Sequence, residues 1–348
     1  MKVIVAGASG RMGRRIGYMV DQHPALTYAG AFEAPASDEL EQVPTKLKQS
    51  WWVSPFQSLI GQYGLPQYCE FDPGMLFALS YSLMFGMMFG DVGHGAVIIV
   101  LAWLLRKRLK AILVVGTLAG LSSIAFGFLY GSVFGYEHLL HPLWMSPMHD
   151  PGHILALALY WGIGFLILAN LLSIRNLLIR NQQQQALFGA HGLVGLLFYV
   201  TAVLSLILMF EFEREIAGWQ YMIMLLLMST ILYQGWKQSS GTIVERAVIV
   251  LIEGLEYLIS NTSATLSFLR VAAFSLNHVA LAAAVFAIAS MLDTLGHWIT
   301  ILLGNVFIIV LEGAIVAIQC LRLEFYEGFS RFFSGKCHRF RPLKSEVI

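Results

Sequence analysis

Long apolar stretches separated by short polar segments fill the chain from about residue 73 to residue 333. A helix that crosses a bilayer needs about 20 mainly apolar residues, and stretches of roughly that length recur throughout this region. The pattern predicts an all-α polytopic membrane protein with about eight transmembrane helices. The predicted spans are 75–89, 95–105, 111–131, 154–174, 187–210, 219–236, 257–289 and 298–327.

The distribution of basic residues decides how the first apolar region is divided. Lysine and arginine cluster at 106–110, 175–180 and 237–246 and in the tail from Arg331, and the loops between these clusters are almost free of them. Because cytoplasmic loops are enriched in basic residues, a single span over 75–105 would place all the clusters outside. Two short spans that turn back within residues 90–95 keep these loops and both termini in the cytoplasm. Such a turn must be buried in protein or face water.

The composition agrees with a membrane protein. Of 348 residues, 57% are hydrophobic and 12% are charged, whereas a soluble domain has about 25% charged residues. A net charge of +1 gives no reason to expect a nucleic-acid partner. Cys69, Cys320 and Cys337 lack the spacing of a metal knuckle or a disulfide framework, and neither a metal nor another cofactor is expected.

Two of the predicted spans carry polar residues at intervals of seven. They are Glu256, Ser263, Arg270 and Asn277, with His278 beside them, and, in the last span, Asn305, Glu312 and Gln319, with Arg322 as a further cation. Seven residues make nearly two helical turns, so each set is predicted to line one face. Two such faces predict a hydrated path across the membrane. For the uncharged members, hydrogen bonding between helices is an equal alternative, and Arg322 has the alternative of reaching the cytoplasmic surface.

Arg270 is the strongest functional candidate in these faces. It is the only residue from Leu258 to Ala289 with a full charge at neutral pH. An arginine at mid-bilayer depth costs roughly 2.5–3.5 kcal/mol on insertion scales, and arginine remains charged in proteins. Since its own span offers no acidic residue nearby, its counter-ion is predicted to come from another helix or another protein.

The first 36 residues follow a different pattern. A β-run is followed by Gly7, Gly10 and Gly13, a helical stretch, a second β-run and Glu33. This order is typical of the first β-α-β unit of a dinucleotide-binding domain. One unit is too small to bury a core, so we predict a short truncated β-α-β-like segment over residues 1–36 with a vestigial glycine turn. A cytoplasmic connector over 37–72 and a membrane domain over 73–348 are predicted to follow.

Three motifs in the membrane region resemble the subunit a/subunit I family of rotary V/A-type ATPases. They are SFLRVAAFSLNH at 267–278, MFGMMFGDVGHG at 84–95, and the stretch from LEG at 311–313 to LRL at 321–323. The resemblance extends over about residues 38–345. Residues 1–36 resemble the N-terminus of dihydrodipicolinate reductase.

The first resemblance implies an ion-translocating stator subunit for H⁺ or Na⁺. In that family the membrane half forms two half-channels against a ring of proteolipids that each carry a carboxylate, and central-stalk and peripheral-stalk subunits complete the complex. Arg270 would face the ring carboxylate, favour its ionised form and separate the half-channels. Glu256, His278, Glu312 and Arg322 match polar family positions that line or gate these channels, with His278 as a proton relay or a packing histidine. Ser263, Asn277 and Gln319, which lie on the predicted polar faces, are further candidates for ion translocation. Asp91, Gly90, Gly93 and Gly95 are expected to organise a tight turn.

The same resemblance implies a multi-pass location in a prokaryotic cell membrane with both termini cytoplasmic. No GxxxxGK[ST] motif occurs, so no nucleotide-hydrolysing site is expected in this chain. The family normally has a large cytosolic half before the membrane half, and this half is missing here, so coupling to ATP requires another polypeptide to supply it. Two alternatives stay open: a stand-alone secondary transporter, in which buried Arg and Glu are also usual, and a membrane-tethered NAD(P)H-binding protein.

Overall fold

The computed structural model describes two strands near the N-terminus and most of the chain from residue 50 onward. The described ranges are 2–6, 27–32, 50–66, 70–107, 110–136, 141–144, 150–211, 217–239, 241–333 and residue 335. The strands β1 (Lys2–Ala6) and β2 (Thr27–Phe32) pair in parallel, with Lys2 opposite Thr27 and an irregularity between Val3 and Ile4. The predicted turn residues Gly7, Gly10 and Gly13, the acidic Glu33 and most of the connector lie outside the described residues.

The other regular elements of the described residues are helices. Their bounds are α1 Ser54–Tyr63, α2 Gly74–Met88, α3 Val92–Leu105, α4 Lys110–Tyr130, α5 Pro151–Ile179, α6 Gln183–Phe188, α7 Leu193–Glu211, α8 Gly218–Gln238, α9 Ile243–Ser267, α10 Leu269–Ser290, α11 Thr294–Phe307, α12 Gly313–Leu323 and α13 Ser330–Phe332. Two π-helical segments, Ile308–Glu312 and Glu324–Phe329, join α11, α12 and α13 into one last helix.

Five of these helical stretches are long and apolar enough to cross a membrane. They are Leu113–Tyr130, Pro151–Ile179, Gln183–Glu211, Ile243–Ser290 and Thr294–Phe332. Each overlaps one predicted span, whereas α2 and α3 are shorter apolar helices and α8 is not among the five. The described part of the chain from residue 50 is therefore helical with several membrane-spanning candidates, as predicted.

The first apolar region is divided in two, as predicted, but the turn is shorter than the predicted one over residues 90–95, because Gly93 and Gly95 lie in the first turn of α3. The backbone leaves the helical conformation between Met88 and Val92, and α2 and α3 run in opposite directions along α4. A Cβ on Gly86 would lie against Ser122 and Phe126 and one on Gly90 against Tyr130, so α2 runs parallel to α4. Gly95 faces Gly120, and Gly116 faces Ala102, so α3 runs antiparallel to it. The chain therefore reverses at 89–91.

Glycines let α3 and α4 approach closely. A Cβ on Gly120 would lie 2.8 Å from the carbonyl oxygen of Gly95, and one on Gly95 would lie 2.7 Å from the carbonyl oxygen of Gly120. Gly116 and Gly120 form a GxxxG pair on α4, the arrangement with which membrane helices pack backbone to backbone. This packing holds the reversal against the rest of the bundle.

The helix of the seventh predicted span is longer than predicted and is interrupted. It begins at Ile243, where Thr242 accepts a hydrogen bond from the backbone N–H of Glu245 and Glu245 accepts one from Thr242 in return. This capping box precedes a helical stretch that includes Glu256, which the sequence placed at its edge. The helix is broken by a turn at Phe268, whose fully buried ring packs against Phe165 of α5.

Candidate functional site

A buried carboxylate–histidine pair joins α10 to the last helix. Nδ1 of His278 lies 2.8 Å from Oε2 of Glu312, and Nδ2 of Asn277 donates to Oε1 of Glu312 over 3.2 Å. His278 is 2% exposed and Glu312 is 1% exposed. A buried carboxylate is stable only when it has such partners. These hydrogen bonds therefore hold Glu312 of the last helix against α10.

The first π-helical segment decides where the Glu312 side chain points. In an unbroken α-helix, Asn305 and Glu312 would lie about 20° apart on the same face. A π-helical turn contains an extra residue, which rotates the following residues by about 100°. Asn305 contacts α3 and Glu312 contacts α10. The structure thus differs from the single straight face predicted for Asn305, Glu312 and Gln319.

A second buried group lies at the start of α3. The Asp91 carboxylate accepts hydrogen bonds from the backbone N–H groups of His94, Phe134 and Gly135 and from the Ser132 hydroxyl, at 2.7–3.0 Å. It thereby caps α3 and holds the 132–135 loop, in which Phe134 and Gly135 have positive φ values of 50° and 77°. Asp91 was expected to organise the Gly-rich turn, and its hydrogen bonds extend beyond that turn to Ser132, Phe134 and Gly135.

His94 connects this group to the His278–Glu312 pair. Its Nε2 lies 2.7 Å from Oδ1 of Asn305, and its Nδ1 lies 3.7 Å from Oδ1 of Asp91. The rings of His94 and His278 meet nearly at right angles with centroids 5.2 Å apart, and Phe89 packs against both. We call Asp91, His94, His278, Asn305 and Glu312 the histidine cluster. It joins α3, α10 and the last helix.

Arg270 lies apart from this cluster and has no carboxylate partner among the described residues. Its Nη2 donates to the Ser267 hydroxyl over 3.2 Å, while its Nη1 is buried without a hydrogen-bond partner. The charges of Arg322 and Glu327 are near enough to influence it electrostatically, but the Glu312 carboxylate bonds to α10 residues instead. The half-buried guanidinium is therefore incompletely paired within the described chain.

The other predicted residues of the stripes lie mainly at the surface of the chain. Glu256, Ser263, Asn277 and Arg322 are exposed, and Gln319 is half-buried with Oε1 lacking a hydrogen-bond partner. The structure brings Asn277 to Glu312 but gives no direct contact between Arg270 and either Glu312 or Arg322. The two polar faces were predicted to line one path together. Of their residues, only Asn277, His278 and Glu312 are in direct contact between the two helices.

Three features of the site were missed from the sequence. His94 was considered only as part of a turn motif. It lies three residues after Asp91, the N-cap of α3, and this is the spacing at which a cap contacts the first turn of its helix. Glu324 is fully buried in the second π-helical segment, one and a half turns beyond Gln319. Arg331 donates to Oδ1 of Asn261 over 2.7 Å, a long-range pair that no sequence spacing predicts.

The fold and these groups define a polytopic helical membrane protein with ionisable side chains inside and along its helical bundle. Residues 30–137 match the V-type ATPase 116kDa subunit family, and residues 1–51 match the N-terminal region of dihydrodipicolinate reductase. Both resemblances predicted from the sequence are thereby confirmed.

Curated relatives extend the first match along the membrane region. The A-type ATP synthase subunit I of Archaeoglobus fulgidus is 34% identical over 129 residues, which is 34% of this chain and 19% of the relative. The V-type ATP synthase subunit I 2 of Treponema pallidum is 38% identical over 113 residues, 30% of this chain and 25% of the relative. The A-type ATP synthase subunit I of Thermococcus kodakarensis is 25% identical over 339 residues, 90% of this chain and 49% of the relative.

The chain is therefore a homologue of subunit I of A/V-type ATP synthases. It spans about half the length of the curated relatives that match most of it.

Proposed function

We propose that this chain is the ion-translocating stator subunit of a rotary A/V-type ATPase and moves H⁺ or Na⁺ against a ring of proteolipids. The observation that carries the proposal is Arg270, a permanent cation in a long apolar helix whose Nη1 has no partner among the described residues. A cation at this depth is stable only with a compensating negative charge. A carboxylate on a neighbouring subunit supplies that charge.

The exposed polar positions around Arg270 support a partner on this face. Glu256 and Ser263 precede it and Asn277 follows it at seven-residue steps, and all three are exposed, with the turn at Phe268 between Ser263 and Arg270. Lipid tails offer no hydrogen bonds, so polar groups within a membrane face protein or water. A ring with one carboxylate per proteolipid and water-filled access on either side satisfies this requirement.

Arginine suits this role better than lysine. A guanidinium keeps its charge when it is desolvated and can bind a carboxylate through two parallel hydrogen bonds. Each arriving ring carboxylate would be held ionised opposite Arg270 and would release its ion there. The fixed positive charge would also separate the two half-channels electrostatically.

The histidine cluster lies on the route proposed for the ion within this chain. Glu312 and His278 are buried between α10 and the last helix, and Asn277 connects Glu312 to the exposed face. Gln319, Arg322 and Glu256 extend the polar positions towards the ends of these helices. We assign these residues to the lining and gating of the half-channels.

The proposed topology has eight spans with both termini in the cytoplasm of a prokaryotic cell. The five long apolar stretches supply five spans, and the reversal at 89–91 makes α2 and α3 two further short spans. The eighth is α8, which lies between two of the long stretches. Central-stalk and peripheral-stalk subunits are the further partners in this proposal.

Replacement of Arg270 tests the function directly. In membrane vesicles that contain the whole complex, Arg270→Ala should reduce ATP-driven ion uptake to background, because the ring carboxylate then has no cation to favour its ionised form. The matched control is Arg106→Ala, an exposed arginine beside Trp103 at the end of α3, which should retain uptake.

Co-purification of a proteolipid in mild detergent should be unchanged in both variants. Normal ion uptake by Arg270→Ala would contradict the assignment. Purification of an active transporter without any proteolipid would instead favour a stand-alone secondary transporter.

A further inference from the structure

Both histidines of the cluster are held in one tautomer by their hydrogen-bond partners. Nδ2 of Asn305 donates to the carbonyl oxygen of Ile301, so the Asn305 Oδ1 that faces His94 accepts a hydrogen bond from Nε2–H. The Glu312 carboxylate likewise accepts from Nδ1–H of His278. In a neutral imidazole the other nitrogen then carries a lone pair. These nitrogens are Nδ1 of His94 and Nε2 of His278.

Neither lone-pair nitrogen has a hydrogen-bond partner among the described residues, although both are buried. Nδ1 of His94 and Nε2 of His278 are among the buried side-chain atoms without a partner. An acceptor that is buried without a hydrogen-bond partner destabilises the folded state. Two such atoms in neighbouring, perpendicular rings indicate a shared ligand that accepts electron pairs from nitrogen.

A carboxylate completes the set of potential ligands. Asp91, His94 and His278 each offer one potential ligand atom, and these three atoms lie within 4.8 Å of one another. Ligands of a tetrahedral zinc ion, each about 2.1 Å from the metal, are about 3.4 Å apart, so side-chain movements on the order of 1 Å bring these atoms into range. Asp91 already accepts four hydrogen bonds and would lengthen one to bind.

The charges of the cluster match a divalent cation. The Asp91 and Glu312 carboxylates accept hydrogen bonds from neighbouring donors, and the five residues of the cluster include no lysine or arginine. Metal-binding histidines usually donate their second nitrogen to a carboxylate or a carbonyl oxygen, which fixes the ring and raises its basicity. Glu312 and Asn305 occupy these two outer positions.

We propose that Asp91, His94 and His278 form a binding site for a divalent transition-metal ion of the zinc class, oriented by Asn305 and Glu312. Imidazole with carboxylate is a donor set that suits Zn²⁺ and Co²⁺. Asn277 and Asn305, at the edge of the cluster, are exposed and half-buried, respectively. Binding of the ion ties α3 to α10. Because His278 is also assigned to the half-channels, the bound ion would occupy part of that lining, whereas Arg270 is not one of its ligands.

Cobalt substitution tests the site on the full chain in detergent. Co²⁺ titrated into the purified, metal-free protein should give the visible absorption of a four-coordinate ion with nitrogen and oxygen ligands. His94→Gln and His278→Gln should each abolish this band. Asn305→Leu leaves all three ligands in place and should weaken binding by about 10–100-fold, as changes of outer-shell partners usually do. The matched control is His153→Gln, an exposed histidine at the start of α5, which should bind as the unchanged chain does.

X-ray absorption of the zinc-loaded unchanged chain gives a second readout that does not depend on any variant folding. Two imidazole ligands and at least one oxygen ligand are expected. A sulfur-dominated shell, or a cobalt band that survives in both histidine variants, would overturn the proposal. So would the absence of any bound Zn²⁺ or Co²⁺, in which case water satisfies the two lone pairs.

Discussion

At the scale of single residues, one buried carboxylate holds a chain reversal together. Asp91 is fully buried and bonds to residues on both α3 and the 132–135 loop. The sequence alone showed that Asp91 lies in a Gly-rich motif. It did not show the partners 41–44 residues away, because no local pattern encodes contacts with a loop that follows another helix.

Removal of the Asp91 carboxylate should therefore destabilise the fold strongly. Asp91→Ala leaves four donors unpaired, each costing about 1–3 kcal/mol when buried, so a loss of at least about 3 kcal/mol is expected. Asp293 is an exposed helix cap with one accepted bond of 3.3 Å, and Asp293→Ala should cost only about 1 kcal/mol. Denaturant unfolding in detergent, followed by circular dichroism, measures both, and equal losses would contradict this account of Asp91.

At the scale of elements, departures from regular helix geometry place the functional side chains. The turn at Phe268 separates Ser267 from Arg270, and the π-helical segment Ile308–Glu312 turns Glu312 towards α10. The seven-residue spacing correctly identified helices with polar positions. The spacing argument assumes a constant helical pitch. One extra residue rotates all the following residues by about 100°, so the argument could not predict which of these positions would be in contact.

The close packing of α3 against α4 gives an element-scale prediction. Gly120→Ala places a methyl group 2.8 Å from the Gly95 carbonyl oxygen, which must move the backbone, and overpacking of this kind costs about 1–3 kcal/mol. Gly164→Ala on α5 is the matched control, because nothing lies within 4 Å of its Cβ. Thermal unfolding in detergent should show a lower midpoint for the Gly120 variant alone. Equal midpoints would mean that the two helices separate without cost.

At the scale of the whole molecule, the topology depends on whether α8 crosses the membrane. This helix has 21 residues but is not among the long apolar stretches. The stretches Gln183–Glu211 and Ile243–Ser290 lie on either side of it in sequence. If α8 crosses as proposed, positions 183 and 238 share one side of the membrane and position 294 lies on the other.

Accessibility of single introduced cysteines checks this arrangement. In a chain with Cys69, Cys320 and Cys337 replaced by alanine, we expect Gln183→Cys and Gln238→Cys to react with an impermeant maleimide only in inside-out vesicles. Thr294→Cys should react only in right-side-out vesicles. All three positions are exposed. Reaction of positions 183 and 294 from the same side would remove α8 from the spans and reduce the proposed number.

The sequence by itself determined the helical membrane class, the reversal before α3, the kinship with subunit I and the isolated charge of Arg270. These properties follow from local composition, spacing and motif, which do not depend on distant contacts. Only the tertiary structure decided that Glu312 pairs with His278 rather than with Arg270, and that His94 lies beside His278. Such pairings depend on helix interruptions and on packing between residues far apart in the chain. For that reason the histidine cluster became visible only in the folded molecule.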